Sequence, residues 1–177
     1  MHEKIKKILV TEEQIVARCK ELGKQISDEY RGKESPLFVA LLKGSVPFLA
    51  ELIKHVDIDM EMDFMDVSSY EGTESMDIKI IKDLDCSIRG LDIILVEDIV
   101  DTGKTLLTVK DLLMRKGAKE VKTITLLDKP SRRTEQIDAE YVGFEVENEF
   151  VVGFGLDFNQ KFRNLPYVGI LKDECYK

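Results

Sequence analysis

The sequence predicts an α/β protein whose central, mainly parallel sheet is flanked by helices. Two continuous apolar runs, at residues 36–42 and 93–96, are typical of buried strands in such a sheet. Segments with helical periodicity lie beside these runs, at 11–31 and 103–116, and the alternation of strands with helices favours parallel pairing. The chain of 177 residues contains no linker or internal repeat, so we expect a single domain over residues 1–177.

Local signals place each element in order along the chain. Thr11 and Gln14 form a capping box that starts the first helix. The strict alternation of apolar and acidic residues over 56–64 has the period of a strand with one face in water. The polar stretch 68–76 has no periodicity and predicts a loop, and Gly117 ends the second long helix. In order, we predict a helix over 11–31, a strand over 36–42, a helix over about 46–54, strands over 56–64, 78–81 and 93–96, a helix over 103–116, and strands over 121–127, 141–146, 150–154 and 167–171.

Composition and charge narrow the classes of function. The 34 acidic residues outnumber the 26 basic ones and give a net charge of −8, which argues against a general binder of nucleic acid or of anionic membranes. No apolar stretch reaches the length of a membrane span, and the N-terminus is too charged for a secretory signal. The three cysteines are scattered, which disfavours disulfides and zinc and favours a reducing cytoplasm. Because histidines are few and carboxylates abundant, any metal used is expected to be a hard ion such as Mg²⁺.

The most informative segment covers residues 93–105. A buried strand carries the chain to the carboxyl edge of the sheet, where open α/β proteins bind ligands. A short turn with a glycine then opens a helix whose free N–H groups suit a phosphate. The Gly-Lys-Thr sequence at 103–105 belongs to P-loop motifs, but such a motif needs glycine where Asp98 stands. An NTPase is therefore disfavoured.

The carboxylates of this segment suggest separate tasks. Residues 101–105 can wrap a phosphate with backbone N–H and hydroxyl groups. Glu97 and Asp98 can accept hydrogen bonds from ribose hydroxyls or bind Mg²⁺. Asp101 stands between this pair and the phosphate turn, near the place of a reacting sugar carbon. The alternative is purely structural: an acidic strand end followed by an ordinary helix N-terminus.

Residues 96–105, Val-Glu-Asp-Ile-Val-Asp-Thr-Gly-Lys-Thr, resemble the phosphoribosyl pyrophosphate signature of the type I phosphoribosyltransferases, above all of their hypoxanthine-guanine members. Further segments occur in the family's order, so that the resemblance covers nearly the whole chain: 41–44, 69–70, 127–129, 150–153, Asp157 and 162–163. The resemblance implies the type I phosphoribosyltransferase fold, with a small hood subdomain built from the terminal segments.

The resemblance also implies roles around the ribose phosphate. Asp101 is implied as the catalytic acid/base that manages a proton on the purine. The residues implied to bind the 5-phosphate are Thr102, Gly103, Lys104 and Thr105. Lys43 and Gly44 are implied to meet the pyrophosphate, and the peptide between them is often cis in the family. Arg163 is implied to clamp the pyrophosphate with its planar guanidinium.

Around the base, Lys129 is implied to donate to the exocyclic 6-oxygen of a purine. Phe150 is implied to stack on the base while the backbone of Val151 reads its edge; without the resemblance, Phe150 is a core aromatic. Ser69 and Tyr70 are implied to lie on a loop that closes over the reacting centre. Without the resemblance, Ser69 and Tyr70 are only part of a polar loop.

The reaction implied by the resemblance is purine salvage. Glu97, Asp98 and Asp157 are linked to Mg²⁺, and pyrophosphate is displaced from the anomeric carbon by a ring nitrogen of hypoxanthine or guanine, giving IMP or GMP. The implied partners are phosphoribosyl pyrophosphate, a 6-oxopurine base and further copies of the chain in a homodimer or homotetramer, with no nucleic acid and no membrane.

Two rival interpretations stay open. One is a phosphoribosyltransferase for adenine, xanthine, orotate or uracil. Lys129 together with Phe150 favours an oxopurine, because an ammonium donates to a 6-oxygen but not usefully to a 6-amino group. The other is a regulatory module that keeps the fold without turnover, but such a regulator needs a nucleic-acid surface that this acidic chain does not supply.

Overall fold

The computed structural model describes residues 1–69 and 78–176, and in these residues it contains nine strands in two sheets and three α-helices. The strands are β1 (Ile5–Val10), β2 (Leu37–Leu41), β3 (Glu61–Ser69), β4 (Ile78–Lys82), β5 (Asp92–Val100), β6 (Glu120–Asp128), β7 (Tyr141–Glu145), β8 (Val151–Val152) and β9 (Val168–Leu171). The helices are α1 (Glu12–Tyr30), α2 (Val46–Leu52) and α3 (Lys104–Arg115), and short 3₁₀ helices cover Ile53–His55, Pro130–Arg132 and Asp173–Cys175.

The larger sheet has the strand order β4-β3-β2-β5-β6-β7. Its strands β3, β2, β5, β6 and β7 are parallel, and only the edge strand β4 runs antiparallel to its neighbour. Alternate residues of β5 enter two separate cores: Ile94 and Val96 pack on the side of α1 and α2, while Ile93 and Leu95 pack on the side of α3. Burial on both faces explains why this strand is a continuous apolar run. The predicted mainly parallel, two-sided α/β fold is therefore confirmed.

The smaller sheet joins the two ends of the described chain. Its order is β1-β9-β8, with both pairs antiparallel, so it forms the hood that the resemblance implied for the terminal segments. Strand β1 was not predicted from the sequence. Only Ile5 and Val10 at its two ends are buried, and two register shifts in its pairing with β9 interrupt the alternation that would have revealed a strand.

The strand predicted over 56–64 was wrong in its first half. Pairing with β2 begins at Glu61, and the apolar residues before it pack on the α1 side of the core without joining the sheet; they are Val56, Ile58 and Met60. Within β3, Met62 is 54% exposed and Met65 is fully buried. The alternation in the sequence therefore reflects the packing of the segment before β3. It does not show which side chains of β3 itself are buried.

The predicted boundaries of three other segments also differ from those in the structure. The strand predicted over 93–96 continues to Val100, because β5 keeps its pairing with β6 as far as Val100 opposite Asp128. The piece predicted over 150–154 contains only the two residues of β8, since Gly153 and Phe154 take positive φ angles of 98° and 48° and turn the chain. Within the predicted loop 68–76, Ser68 and Ser69 are the last residues of β3, and the remainder lies outside the described residues.

Two expectations from composition can be compared with the fold. All three cysteines are free, and Cys19 is buried, as expected of a chain without a disulfide framework. In the described part of the chain, no helix has both the length and the apolar character needed to cross a membrane.

The capping box at the start of α1 is formed by two reciprocal hydrogen bonds and can be tested by substitution. The Gln14 N–H donates to Thr11 Oγ1 at 3.2 Å, and the Thr11 N–H donates to Gln14 Oε1 at 2.9 Å. Thr11→Ala removes one acceptor from the first turn of α1 and is expected to lower the free energy of unfolding by about 0.5–2 kcal/mol in urea titrations. Thr11→Ser keeps the acceptor and serves as the control; equal losses in both variants would contradict the capping role.

Candidate active site

The site begins at the carboxyl ends of β5 and β6. The two strands end side by side, with Val100 opposite Asp128, and the N–H of Lys129 donates to the Val100 carbonyl at 2.9 Å. This register brings the next residues of both strands, Asp101 and Lys129, to the same edge of the sheet. Both side chains line one cavity.

A tight turn follows β5 and leads directly into α3. Gly103 is the N-cap residue of α3 with a φ of +88°, and a Cβ there would lie 2.8 Å from Ile137 Cγ2. Only glycine is free of strain in this conformation and in this space. A small cavity of about 90 Å³ lies within the turn and is lined by Glu97, Ile99, Val100, Asp101, Thr102, Gly103, Thr105 and Leu106. Gly103 has no side chain to cap α3, and only the Lys104 N–H makes a weak bond to Thr102 Oγ1 at 3.4 Å, so the first N–H groups of the helix suit an anion bound in this cavity.

Two acidic side chains at the end of β5 are withdrawn from water. Burial, together with the neighbouring Asp98 carboxylate, raises the pKa of Glu97 well above its ordinary value. Burial raises the pKa of Asp98 to about 6, while a hydrogen bond from the Ile99 N–H, 2.7 Å from Oδ1, and the charge of Arg163 oppose that rise. Backbone N–H groups donate to both carboxylates, but in the described part of the chain neither has a cationic side chain within 4.0 Å.

Glycines allow three chain segments to meet beside Asp98. A Cβ on Gly44 would lie 1.6 Å from Asp98 Oδ2, and a Cβ on Gly155 would lie 1.9 Å from the Gly44 carbonyl oxygen. The loop after β2, the end of β5 and the loop after β8 are therefore in direct contact, and side chains at either glycine would separate them. Among the described residues a cis peptide occurs between Leu42 and Lys43. The cis bond implied between Lys43 and Gly44 was wrong by one position.

The loop after β8 also presents a carboxylate and a guanidinium. Arg163 Nη2 lies 2.9 Å from Asp157 Oδ1, and Arg163 Nη1 donates to the Gly155 carbonyl at 2.7 Å. The Gln160 N–H donates to the second carboxylate oxygen of Asp157 at 2.8 Å. Arg163 and Asp157 both influence the titration of Asp98, so this pair lies near the end of β5.

A larger cavity of about 410 Å³ opens next to the turn. Its walls come from the ends of β5 and β6, the segment before β8, and the C-terminal residues: Ile99, Asp101, Lys129, Arg132, Asn148, Glu149, Phe150, Val151, Leu156 and Tyr176. Lys129 Nζ donates to the Glu149 carbonyl at 2.7 Å, and burial lowers the pKa of Lys129. A cavity with apolar walls from Ile99, Phe150 and Leu156 and one fixed ammonium suits a heteroaromatic ring with an oxygen on its edge.

The aromatic wall of this cavity is itself packed. The Phe150 ring stacks on Tyr176 with centroids 4.7 Å apart and an interplanar angle of 23°, and Phe158 meets it edge-on at 5.5 Å. These contacts hold Phe150 in place, since offset-stacked and edge-to-face arrangements are the favoured aromatic geometries. Phe150 is only half-buried, so it is not a closed core aromatic.

Most residues that the sequence singled out surround this edge of the sheet. The strand ends, the turn and the loop after β8 bring together Gly44, Glu97, Asp98, Asp101, Thr102, Gly103, Thr105, Lys129, Phe150, Val151, Asp157 and Arg163. Lys43 and Lys104 have exposed side chains at the same edge. Ser69 ends β3, and Tyr70 lies outside the described residues.

The metal prediction stays a prediction. Among residues 1–69 and 78–176, no group of three or more His, Cys, Asp or Glu side chains is arranged to hold a metal ion, so Glu97, Asp98 and Asp157 do not form a ready-made cage. One or two carboxylates near a phosphate site nevertheless fit Mg²⁺, which usually keeps several waters and takes further ligands from substrate phosphates.

Three residues at the site were not predicted from the sequence: Arg132, Arg133 and Tyr176. Arg132 Nε donates to Asp101 Oδ1 at 3.0 Å, Arg133 binds the backbone of the turn, and Tyr176 stacks on Phe150. The Pro-Ser-Arg-Arg sequence after Lys129 contains no motif that predicts these contacts. Its position directly after a strand that ends beside the acidic turn was the one available signal.

Comparison with known proteins agrees with this geometry. Residues 7–159 match the family model of the phosphoribosyl transferase domain. The parallel sheet, its hood and the acidic turn before α3 define the protein as a phosphoribosyltransferase.

Relatives that match over almost their whole length narrow the class from phosphoribosyltransferases in general to one family. A hypoxanthine-guanine phosphoribosyltransferase of Streptococcus thermophilus (strain CNRZ 1066) is 54% identical over 178 residues, covering 99% of this chain and 98% of its own. The crystal structure of a hypoxanthine phosphoribosyltransferase from Staphylococcus aureus is 48% identical with a TM-score of 0.94, covering 100% of this chain and 97% of its own. A Trypanosoma cruzi hypoxanthine phosphoribosyltransferase in complex with the product IMP is 37% identical with a TM-score of 0.95, covering 99% of each chain. The chain belongs to the hypoxanthine-guanine phosphoribosyltransferase family.

The buried Asp98 carboxyl predicts an unusual dependence of stability on pH. Its folded-state pKa is raised from 3.8 to about 6, so the fold is favoured while the group is protonated and loses that contribution as pH rises through 6. Asp98→Asn cannot ionise. In chelator-containing buffer at about pH 8, its Tm is expected to exceed the parent's by several degrees, since each kcal/mol shifts Tm by about 2–4 °C at this chain length.

The same comparison at about pH 4 is expected to show a much smaller difference, because the parent carboxyl is then largely protonated in the folded protein. Asp111→Asn, on the exposed surface of α3, is the control and should follow the parent at both pH values. An Asp98→Asn variant that is less stable than the parent at pH 8 would show that the buried carboxylate is compensated in the fold.

Proposed function

We propose that the protein transfers the 5-phosphoribosyl group of phosphoribosyl pyrophosphate to hypoxanthine or guanine, forming IMP or GMP and releasing pyrophosphate. The observation that carries the proposal is the contact between the two cavities. Ile99 and Asp101 line both the 90 Å³ cavity of the turn and the 410 Å³ cavity beside it. A phosphate held by the turn and a base held in the larger cavity are then joined by a sugar that lies next to Asp101.

The ribose phosphate is held by the turn and the strand end. The backbone N–H groups of residues 102–105 and the hydroxyls of Thr102 and Thr105 bind the 5-phosphate at the start of α3. Glu97 and Asp98 accept hydrogen bonds from the two ribose hydroxyls. These hydroxyls add donors to carboxylates that have backbone N–H partners but no cationic one, and ionised carboxylates are acceptors only.

The base is selected by Lys129 and oriented by Phe150. The Glu149 carbonyl holds the Lys129 ammonium at 2.7 Å, and its remaining hydrogens are available for the exocyclic 6-oxygen of the purine. Phe150 covers one face of the base, and the backbone of Val151 hydrogen-bonds to its edge. A 6-amino group offers no acceptor of comparable strength, so adenine is excluded.

Chemistry takes place between the two cavities. A ring nitrogen of the purine forms the new bond to the anomeric carbon while the bond from that carbon to the pyrophosphate oxygen breaks with its electron pair leaving on pyrophosphate. Asp101 accepts the proton that the ring nitrogens must lose, and Arg132 Nε at 3.0 Å keeps the carboxylate in place. The positive charge that develops on the sugar lies close to the acidic end of β5.

The leaving pyrophosphate needs positive charge. Lys43 and Arg163 supply it from the loops after β2 and β8, which meet at the Gly44–Gly155 contact. Mg²⁺, held by Asp98 and Asp157 with help from Glu97, would neutralise charge on the pyrophosphate. The part of the 68–76 loop that contains Tyr70 lies outside the described residues, and its closure over the site stays part of the proposal.

The proposal also covers the domain organisation, the oligomeric state and the location of the protein. We place residues 1–177 in a single catalytic domain, in line with a relative that matches almost end to end. We propose a homodimer or homotetramer, which is supported by exposed apolar side chains on the β3–β4 edge, where Met62 is 54% and Ile81 60% exposed. A cytoplasmic location fits three free cysteines.

Replacing Lys129 tests the selection of the base. Lys129→Gln loses a charge-assisted hydrogen bond worth about 1.5–3 kcal/mol, so kcat/KM for hypoxanthine and guanine is expected to fall about ten- to a hundredfold. Lys20→Gln, at an exposed position on α1, is the control. The parent should form nucleotide from hypoxanthine and guanine and almost none from adenine; equal rates with adenine and guanine would refute the oxopurine assignment.

Replacing Asp101 tests the proton transfer. Asp101→Asn keeps the shape of the side chain and removes its basic site, so kcat is expected to fall by about 10²–10⁴-fold while the Kd of phosphoribosyl pyrophosphate changes little. Asp111→Asn on α3 is the matched surface control. Near-parental turnover, or a loss that is fully explained by weaker binding of phosphoribosyl pyrophosphate, would remove Asp101 from the acid/base role.

A further inference from the structure

Three consecutive backbone carbonyls of the phosphate turn are bound from outside by one segment, residues 129–135. The Val100 carbonyl accepts from the Lys129 N–H at 2.9 Å, and the Thr102 carbonyl accepts from the backbone N–H groups of Thr134 at 3.0 Å and of Glu135 at 3.2 Å. Between them, Arg133 Nη1 donates to the Asp101 carbonyl at 2.6 Å and to the Val100 carbonyl at 3.3 Å. Arg133 is therefore the side chain that joins the two backbone contacts into a continuous row.

The Arg133 guanidinium is built into the fold. Its side chain is only 11% exposed, and its Nη2 donates to the carboxylate of Asp128, which is 10% exposed. Its Cδ also lies under the turn, 3.0 Å from where a Cβ on Gly103 would stand. The outer side of the guanidinium faces the exposed carboxylate of Asp138, with Nε 3.6 Å from its oxygen. The buried pair with Asp128 thus fixes Arg133 against the backbone of the turn.

The direction of these bonds determines where the amides of the turn point. In a trans peptide the carbonyl of one residue and the N–H of the next point to opposite sides. With the carbonyls of residues 100–102 held on the side of the 129–135 segment, the N–H groups of residues 101–103 are directed to the other side, toward the small cavity of the turn. A row of N–H groups on one side of a turn is an anion-binding nest.

We propose that Arg133 is a positioning residue for phosphate binding: by holding the Val100 and Asp101 carbonyls, it orients the amides of the turn toward the 5-phosphate without touching the substrate. The proposal rests on the proposed function, in which this turn holds the phosphate. The role needs arginine, because a planar fork can reach a carboxylate and two carbonyls together while the ammonium of lysine is a single point.

Arg133→Lys tests the proposal through the contribution of the phosphate alone. The Kd of GMP and the Kd of guanosine are measured by calorimetry for the parent and the variant, and their ratio isolates the phosphate from the base and sugar. The ratio of guanosine Kd to GMP Kd is expected to fall about tenfold in Arg133→Lys, the size of one lost hydrogen bond to a charged group. The Kd of guanosine itself should stay within about twofold of the parent's.

Two further variants separate positioning from stability. Asp138→Asn removes only the exposed partner of the same guanidinium and should keep the parental ratio, since exposed ion pairs contribute little. If Arg133→Lys does not fold, the double variant Arg133→Leu with Asp128→Leu replaces the buried ion pair by apolar side chains, an exchange that buried pairs often tolerate. The double variant also lacks the carbonyl contacts, so it is expected to show the same fall in the ratio.

The outcomes are distinct. A folded variant without Arg133 that keeps the parental ratio, or that loses GMP and guanosine equally, would overturn the positioning role. A parent that binds GMP no more tightly than guanosine would contradict the phosphate assignment of the turn and with it the proposed function.

Discussion

The parallel pairing of β5 with β6 fixes the relative position of almost everything at the site. With Val100 opposite Asp128, the residues that follow each strand, Asp101 and Lys129, are brought to the same edge of the sheet and line one cavity. A shift of one residue in this register would send alternate side chains to the opposite face of the sheet. The apolar residues of β5 prevent such a shift, because Ile93 to Val96 are committed alternately to two different cores.

The carboxyl end of β5, which lies at the site, lowers the stability of the fold. Glu97 and Asp98 continue β5 beyond its apolar part, and burial raises the pKa of both carboxyls. Buried carboxylates without a cationic partner destabilise the fold, and such sites persist where a ligand supplies further donors. The ribose hydroxyls of the substrate can do so, which links substrate binding to a gain in stability.

Much of the fold and of the site was predictable from sequence because the signals were local. The capping box of Thr11, the continuous apolar run of β5 and the glycine turn before α3 each depend on neighbours within a few residues. The failures have long-range causes: β1 exists because it pairs with β9 from the other end of the chain, and residues 56–60 alternate like a strand because Val56, Ile58 and Met60 pack on a core without joining the sheet.

The missed site residues follow the same rule. Arg132 and Arg133 contact a turn about 30 residues earlier in the chain, and Tyr176 stacks on Phe150 from the C-terminal turn.

The most direct test of this arrangement of the site is a titration of ¹⁵N-labelled protein with ribose 5-phosphate and with GMP, followed by amide chemical shifts. The account predicts that both ligands shift the amides of residues 101–106, and that only GMP also shifts those of Lys129, Phe150 and Val151. Shifts with ribose 5-phosphate that leave residues 101–106 unchanged would contradict it.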